Sequence, residues 1–181
     1  MKSTVKITAC GVISALAVVL MLGTNIPIML YTVPALTGML FLIPAIELSP
    51  KWAFLCFGIT GVLSFLLPTE REALIMFLGL LGYYPTVKVL VERLKSRAIG
   101  VAIKLVTFNA AITACFWLTF ELLGINIFKS EKLPLEIMII AVYAVGNIVF
   151  AVYDFALTRI LNVYFLKWRK TVRKTLGIKS K

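Results

Sequence analysis

Long apolar runs, interrupted by little more than proline-bearing turns, leave this chain almost no surface for water. Of its 181 residues 61% are apolar and 15% charged, with a mean hydropathy of +0.99. Soluble domains run at roughly 45–50% apolar and about 25% charged. A soluble globule, a DNA-binding domain and a disordered tail are therefore excluded, despite a net charge of +11. The bilayer is the expected solvent. At about 20 residues per crossing, the length accommodates about six helices, short loops and no separate soluble domain.

The expected fold is an all-α, polytopic membrane protein, a bundle of six transmembrane helices with both termini cytoplasmic. Residues 1–166 form one transmembrane domain and residues 167–181 a basic cytoplasmic tail. The runs extend over about Ile7 to Thr24, Val33 to Leu48, Lys51 to Leu67, Glu72 to Leu94, Ile99 to Gly124, and Pro134 to Leu166. The second is short and holds Pro44. Charge sets the orientation. With the termini inside, Arg71, Lys129 and Lys132 are the only basic residues left outside, and the other sixteen of the 19 face the cytoplasm. That asymmetry satisfies the positive-inside rule and needs an even number of crossings. The first run follows Lys2 and Lys6 as a signal peptide would, but its apolar stretch is too long and no small-residue cleavage site follows. It is read as retained.

Several chemistries are missing from the alphabet. There is no histidine, so His-based triads and His-ligated zinc are absent. Cys10, Cys56 and Cys115 lie far apart in apolar stretches and read as small buried residues rather than a metal site. No P-loop, G-x-S-x-G or paired acidic motif occurs. The expectation is a protein that is not an enzyme and has no cofactor. Any active transport would draw on a partner or an ion gradient. The halves carry no inverted repeat, which argues against a self-sufficient carrier.

Polar side chains at membrane depth are costly and hence informative. Tyr83, Tyr84 and Pro85 lie within the fourth run, where the proline removes the donor for the Leu81 carbonyl. Asn109 and Thr113 share a face of the fifth, with Glu121 further along. Tyr143, Asn147, Phe150 and Asp154 share a face of the sixth. Tyr83, Tyr84, Asn109, Thr113, Tyr143 and Asn147 could line a small pocket open to the outside, suited to a neutral or amphipathic small molecule. The plainer alternative is that they bridge helices or pack. For Asp154, a partner such as Arg159 or snorkelling is preferred to a proton relay, because no chain of ionisable groups lines up with it. Lys88 and Glu92, four apart, read as a local ion pair with a snorkelling lysine.

Two surface features complete the reading. The segment Lys167 to Lys181 holds seven basic residues and no acid. A nucleic-acid or partner site is one explanation, and an anchor on anionic lipid headgroups with Trp168 at the interface is the preferred one. In the first run Gly11 and Ala15 make a small-xxx-small ridge, which serves either packing within the bundle or docking onto another membrane protein.

Six short-looped helices, internal termini and the segment Gly11-Val-Ile-Ser-Ala15-Leu-Ala-Val-Val-Leu20 resemble the S component of an energy-coupling factor (ECF) transporter. Gly11 stands where that family more often has alanine. The proline-containing loop from Asn25 to Pro34 resembles the family's external gating loop. Glu47-Leu-Ser-Pro-Lys51-Trp-Ala and Gly82-Tyr-Tyr-Pro-Thr-Val-Lys88 resemble segments of uncharacterised members. The resemblance implies a receptor that takes a vitamin or other micronutrient from outside. Its partners would be a transmembrane coupling protein, two cytoplasmic ATPases and membrane lipid, but no nucleic acid. It makes Gly11 and Ala15 the docking ridge. A small membrane scaffold of the cell-shape machinery, of the MreD kind, is similar in size and architecture. That alternative would bind protein partners and no solute.

Overall fold

The computed structural model describes residues 3–94, 96–123 and 135–175. All of the regular structure among them is helical. The helices are α1 (Ser3–Leu22), α2 (Thr32–Leu40), α3 (Leu42–Glu47), α4 (Pro50–Leu66), α5 (Arg71–Met76), α6 (Tyr84–Val91), α7 (Arg97–Leu123), α8 (Leu135–Val163) and α9 (Arg169–Thr175). Two π-helical stretches, Phe77–Leu81 and Tyr164–Trp168, join α5 towards α6 and α8 to α9. Glu121 has its side chain outside the described residues, as do Lys2, Lys129, Lys132 and residues 176–181 of the tail.

Prolines set the breaks. Pro44 has no N–H for the carbonyl of Leu40, four residues back, and its ring crowds that turn. Helix α2 accordingly stops at Leu40, and α3 restarts after Phe41. Pro50 opens α4 from an extended Ser49, a position where the missing donor costs nothing. Leu67, just before Pro68, is extended and ends α4. Pro85 sits in the first turn of α6, and the carbonyl it orphans belongs to Leu81, the last residue of the first π-helical stretch. That carbonyl is met from α8, where the Tyr153 hydroxyl donates to it at 3.2 Å. Helix α2 passes so close that a Cβ on Gly38 would collide with the same carbonyl. Glycine is required there by the approach of two backbones.

Among the described residues, four helical stretches are long and apolar enough to cross a membrane: Ser3–Asn25, Arg71–Val91, Ala98–Cys115 and Ile139–Thr175. Thr32–Glu47 and Pro50–Leu66 are apolar but shorter. Seventeen residues of α4 rise only about 25 Å, against a hydrocarbon core of about 30 Å. The chain is thus a helical protein compatible with membrane insertion, and the prolines explain why the second and third runs fall short by length. The sixth run does not end at Leu166, because the helical path continues through α9 to Thr175.

The core lies between α1, α2, α3, α4, α6 and the middle of α8, around Phe41, Phe77, Tyr84 and Leu157. Outside it the helices expose large apolar side chains, among them Val19, Phe65, Val106 and Ile148, each at least 63% exposed. Such surface suits lipid and not water. All three cysteines are buried, as expected, and two of them also meet. Cys10 of α1 and Cys56 of α4 lie sulfur to sulfur, with Cα atoms 5.8 Å apart. The pairing arises because α1 and α4 lie against each other, a tertiary fact that their separation of 46 residues conceals. Cys115 is free and buried, as expected.

Candidate functional site

Helices α7 and α8 meet along a seam of paired side chains. From one end to the other, α7 contributes Lys104, Phe108, Asn109 and Thr113, and α8 contributes Asp154, Phe150, Asn147 and Tyr143 in the opposite order. Lys104 Nζ lies 3.1 Å from Asp154 Oδ2. The rings of Phe108 and Phe150 stack with centroids 4.5 Å apart. The Asn109 and Asn147 amides donate to each other's oxygens, both at 3.2 Å. The hydroxyls of Thr113 and Tyr143 are 2.6 Å apart. Spare donors and acceptors close onto the helices themselves. Asn109 Nδ2 donates to the Leu105 carbonyl at 2.8 Å, and Asn147 Nδ2 to that of Tyr143 at 2.8 Å. Antiparallel helices spaced this way bring residues of one face together every turn.

Four of the six expected pocket residues, Asn109, Thr113, Tyr143 and Asn147, are therefore gathered on one seam. It is half-buried at the asparagines and exposed at Thr113. The two tyrosines go elsewhere. Tyr84 is fully buried, and its hydroxyl donates to Asp154 Oδ1 at 2.6 Å. Tyr83, the residue before it at the cap of α6, points to a different side and meets Phe57 edge-on at 5.9 Å. The six do not surround one hollow.

The last pair of the seam belongs to a larger, partly buried cluster. Lys88 of α6 has no exposed surface. Its ammonium lies 2.6 Å from Asp154 Oδ1 and 2.8 Å from Glu92 Oε1. Lys104 Nζ is 3.3 Å from the same Glu92 oxygen. Two cations and two carboxylates thus form a neutral ring across α6, α7 and α8, with Tyr84 as a further donor. This corrects three expectations. Asp154 is not partnered by Arg159, which instead lies over the Phe155 ring at 4.8 Å. Lys88 does not snorkel, although its pair with Glu92 is present. Ionisable groups do line up with Asp154. The cause is topological: α6 and α8 are neighbours, and Lys88 and Asp154 are 66 residues apart in sequence. The cluster was legible only in part. Once Phe108 is set opposite Phe150, the helical register puts Lys104 opposite Asp154, but nothing in the chain order brings Lys88 there.

A second ionic centre was missed. Glu47 ends α3 with its side chain 3% exposed, at 3.1 Å from Arg169 Nε and 3.3 Å from Arg173 Nε. The Tyr164 hydroxyl donates to Glu47 Oε1 at 3.2 Å. The basic segment is thus tied to the bundle by two of its arginines, while Trp168 stays 64% exposed.

On α1 the ridge residues do not serve the bundle. The helix packs through Cys10, Ser14, Ala17, Val18 and Met21. Ala15 is exposed, and a Cβ on Gly11 would meet no atom within 4 Å. At the far end of α1, the loop expected to gate folds into short 3-10 turns at Gly23–Asn25 and Pro27–Met29. Asn25 Nδ2 there donates to the Pro68 carbonyl at 3.0 Å.

No protein-family model matches the chain, and no curated protein or solved structure is similar enough to match it.

Proposed function

We propose that the chain is the substrate-specific membrane subunit of an ECF-type importer, binding a vitamin or similar micronutrient outside the cell and passing it inward with a partner ATPase module. The observation that carries the proposal is the free small-residue face of α1. Packing within the bundle was the competing explanation for Gly11 and Ala15, and neither residue is packed there. Small residues without a partner allow another membrane helix to approach closely. A coupling protein is the occupant the importer needs.

The topology that goes with this function has six crossings in a bacterial cytoplasmic membrane, with both termini inside. It is supported by the charge asymmetry of the loops and by the arrangement of α2 with α3, and of α5 with α6, as two broken rods. Discontinuous helices are tolerated in a bilayer where other groups meet the freed backbone, as Tyr153 does for Leu81. The solute would bind at the outward half of the α7–α8 seam. Asn109, Asn147, Thr113 and Tyr143 offer amides and hydroxyls there that can exchange partners for a ligand's. This role calls for no metal and no cofactor.

The scaffold reading has one observation in its favour. The middle of the bundle is filled by Phe41, Phe77 and Tyr84, each without exposed surface. A protein that only holds other proteins needs no more than that. Affinity purification of the tagged chain from its own membranes separates the two. Recovery of a coupling protein and two ATPases, lost in Gly11→Leu, supports the importer. Recovery of cell-shape proteins alone, with cell-shape defects on deletion, supports the scaffold.

A further inference from the structure

At the amino-terminal end of the bundle, α1, α3 and α9 flank an open cleft of about 550 Å³. The volume falls within the ~300–1,000 Å³ typical of small-molecule sites. Its walls include Thr4, Thr8 and Val12 of α1, Pro44 of α3, and Val172 and Thr175 of α9. The lining is hydrocarbon almost throughout. Two of its four threonine hydroxyls are turned back onto their own helices: Thr8 donates to the Thr4 carbonyl at 3.0 Å and Thr175 to that of Thr171 at 3.1 Å. A polar cargo would find few hydrogen-bonding partners on those walls.

The charge beside the cavity is one-sided. Helix α9 and the turn before it carry Lys167, Arg169, Lys170, Arg173 and Lys174 and no acid. Glu47 engages the two arginines, which leaves the three lysines exposed and without a counter-ion from that carboxylate. Lys170 and Lys174 are each the chain neighbour of a lining threonine, Thr171 and Thr175. An apolar cleft walled by membrane helices, one of which carries exposed lysines and no acid, matches the two halves of one class of molecule. We infer that the groove between α1, α3 and α9 is a binding site for an anionic phospholipid of the cytoplasmic leaflet, with an acyl chain against Thr8, Val12 and Val172 and the phosphate at Lys170 and Lys174. Basic clefts between membrane helices on the cytoplasmic side are known sites for acidic headgroups. The inference rests on the terminus-inside orientation and not on the importer reading or its solute.

Native mass spectrometry of the full chain, extracted from bilayers holding equal phosphatidylglycerol and phosphatidylcholine, tests it. The expected result is one retained phosphatidylglycerol per chain, bound about thirtyfold less well in Lys170→Glu/Lys174→Glu, the scale for two basic groups at an anionic surface. Filling the groove, by Thr8→Trp or independently by Val172→Trp, should abolish retention while the helical circular dichroism of the folded chain is kept. A chain ended at Thr175 should retain the lipid unchanged. Equal retention of phosphatidylcholine would overturn the headgroup assignment. Undiminished retention in both groove-filling variants would overturn the site. Stronger lipid retention by the shortened chain would give the groove to the protein's own last six residues instead.

Discussion

Neutralising Asp154 should destabilise the bundle, and neutralising Lys88 along with it should cost less than the two losses added together. Lys88 and Lys104 contribute two positive charges to the cluster, and Glu92 and Asp154 contribute two negative ones. Asp154→Asn leaves a fully buried ammonium with one carboxylate, Glu92 at 2.8 Å. Removing one partner of a buried pair typically costs about 3–5 kcal/mol. Here Glu92 remains and the Asp154 side chain is 24% exposed, so the low end is expected, about 3 kcal/mol. Lys88→Met leaves Asp154 with Lys104 at 3.1 Å and the Tyr84 hydroxyl at 2.6 Å, and should cost less than Asp154→Asn. The double variant is neutral again and buries no unpaired ion. Its loss should fall short of the sum of the single losses by about 1–3 kcal/mol, the range for residues in one ionic network. The assay is reversible unfolding by SDS titration of the bicelle-reconstituted protein, followed by tryptophan fluorescence. Losses that add to within about 0.5 kcal/mol, as for independent sites, would refute a Lys88–Asp154 interaction and with it the ring across α6, α7 and α8.

Other substitutions probe other joints. Gly38→Ala should destabilise by about 1–3 kcal/mol, as overpacking does, because its Cβ meets the Leu81 carbonyl. Gly11→Ala in the same unfolding assay should be neutral to within about 0.5 kcal/mol, since open space surrounds it. Gly11→Leu and Ala15→Leu should leave the solute affinity of the purified chain unchanged and abolish uptake by cells. Normal uptake in both would remove the docking role. Asn147→Ala strands the Asn109 amide across the seam. It should cost about 0.6–1.7 kcal/mol of stability and lower solute affinity several-fold by isothermal titration. An unchanged affinity would take Asn147 out of the binding site.

The helices could be read from the sequence because apolar runs and prolines act locally. Pro44, Pro50, Pro68 and Pro85 each mark a break that the coordinates repeat within a few residues. The polar seam was half legible for a similar reason. Asn109 with Thr113, and Tyr143 with Asn147, share faces by helical period alone, and two such faces on consecutive antiparallel helices meet. What stayed hidden depends on which non-consecutive helices are neighbours. Cys10 finds Cys56 because α1 packs on α4, and Lys88 finds Asp154 because α6 packs near α8. Glu47 meets Arg169 and Arg173 because α9 returns to α3. No periodicity within one helix encodes these meetings. Tyr83 and Tyr84 illustrate the same limit. Both were placed in one pocket by depth, yet adjacent positions on a helix point about 100° apart, and only Tyr84 turns into the charged cluster.

Whether the chain is a solute receptor at all is tested most directly by native mass spectrometry of the protein purified from its own cells, released from detergent in the gas phase. The expected spectrum carries one small non-lipid molecule per chain, with a mass distinct from any phospholipid, that disappears in Asn147→Ala and persists in Gly11→Leu. A chain that carries phospholipid alone, in every preparation and after incubation with a micronutrient mixture, would contradict the receptor and leave the filled bundle as a scaffold.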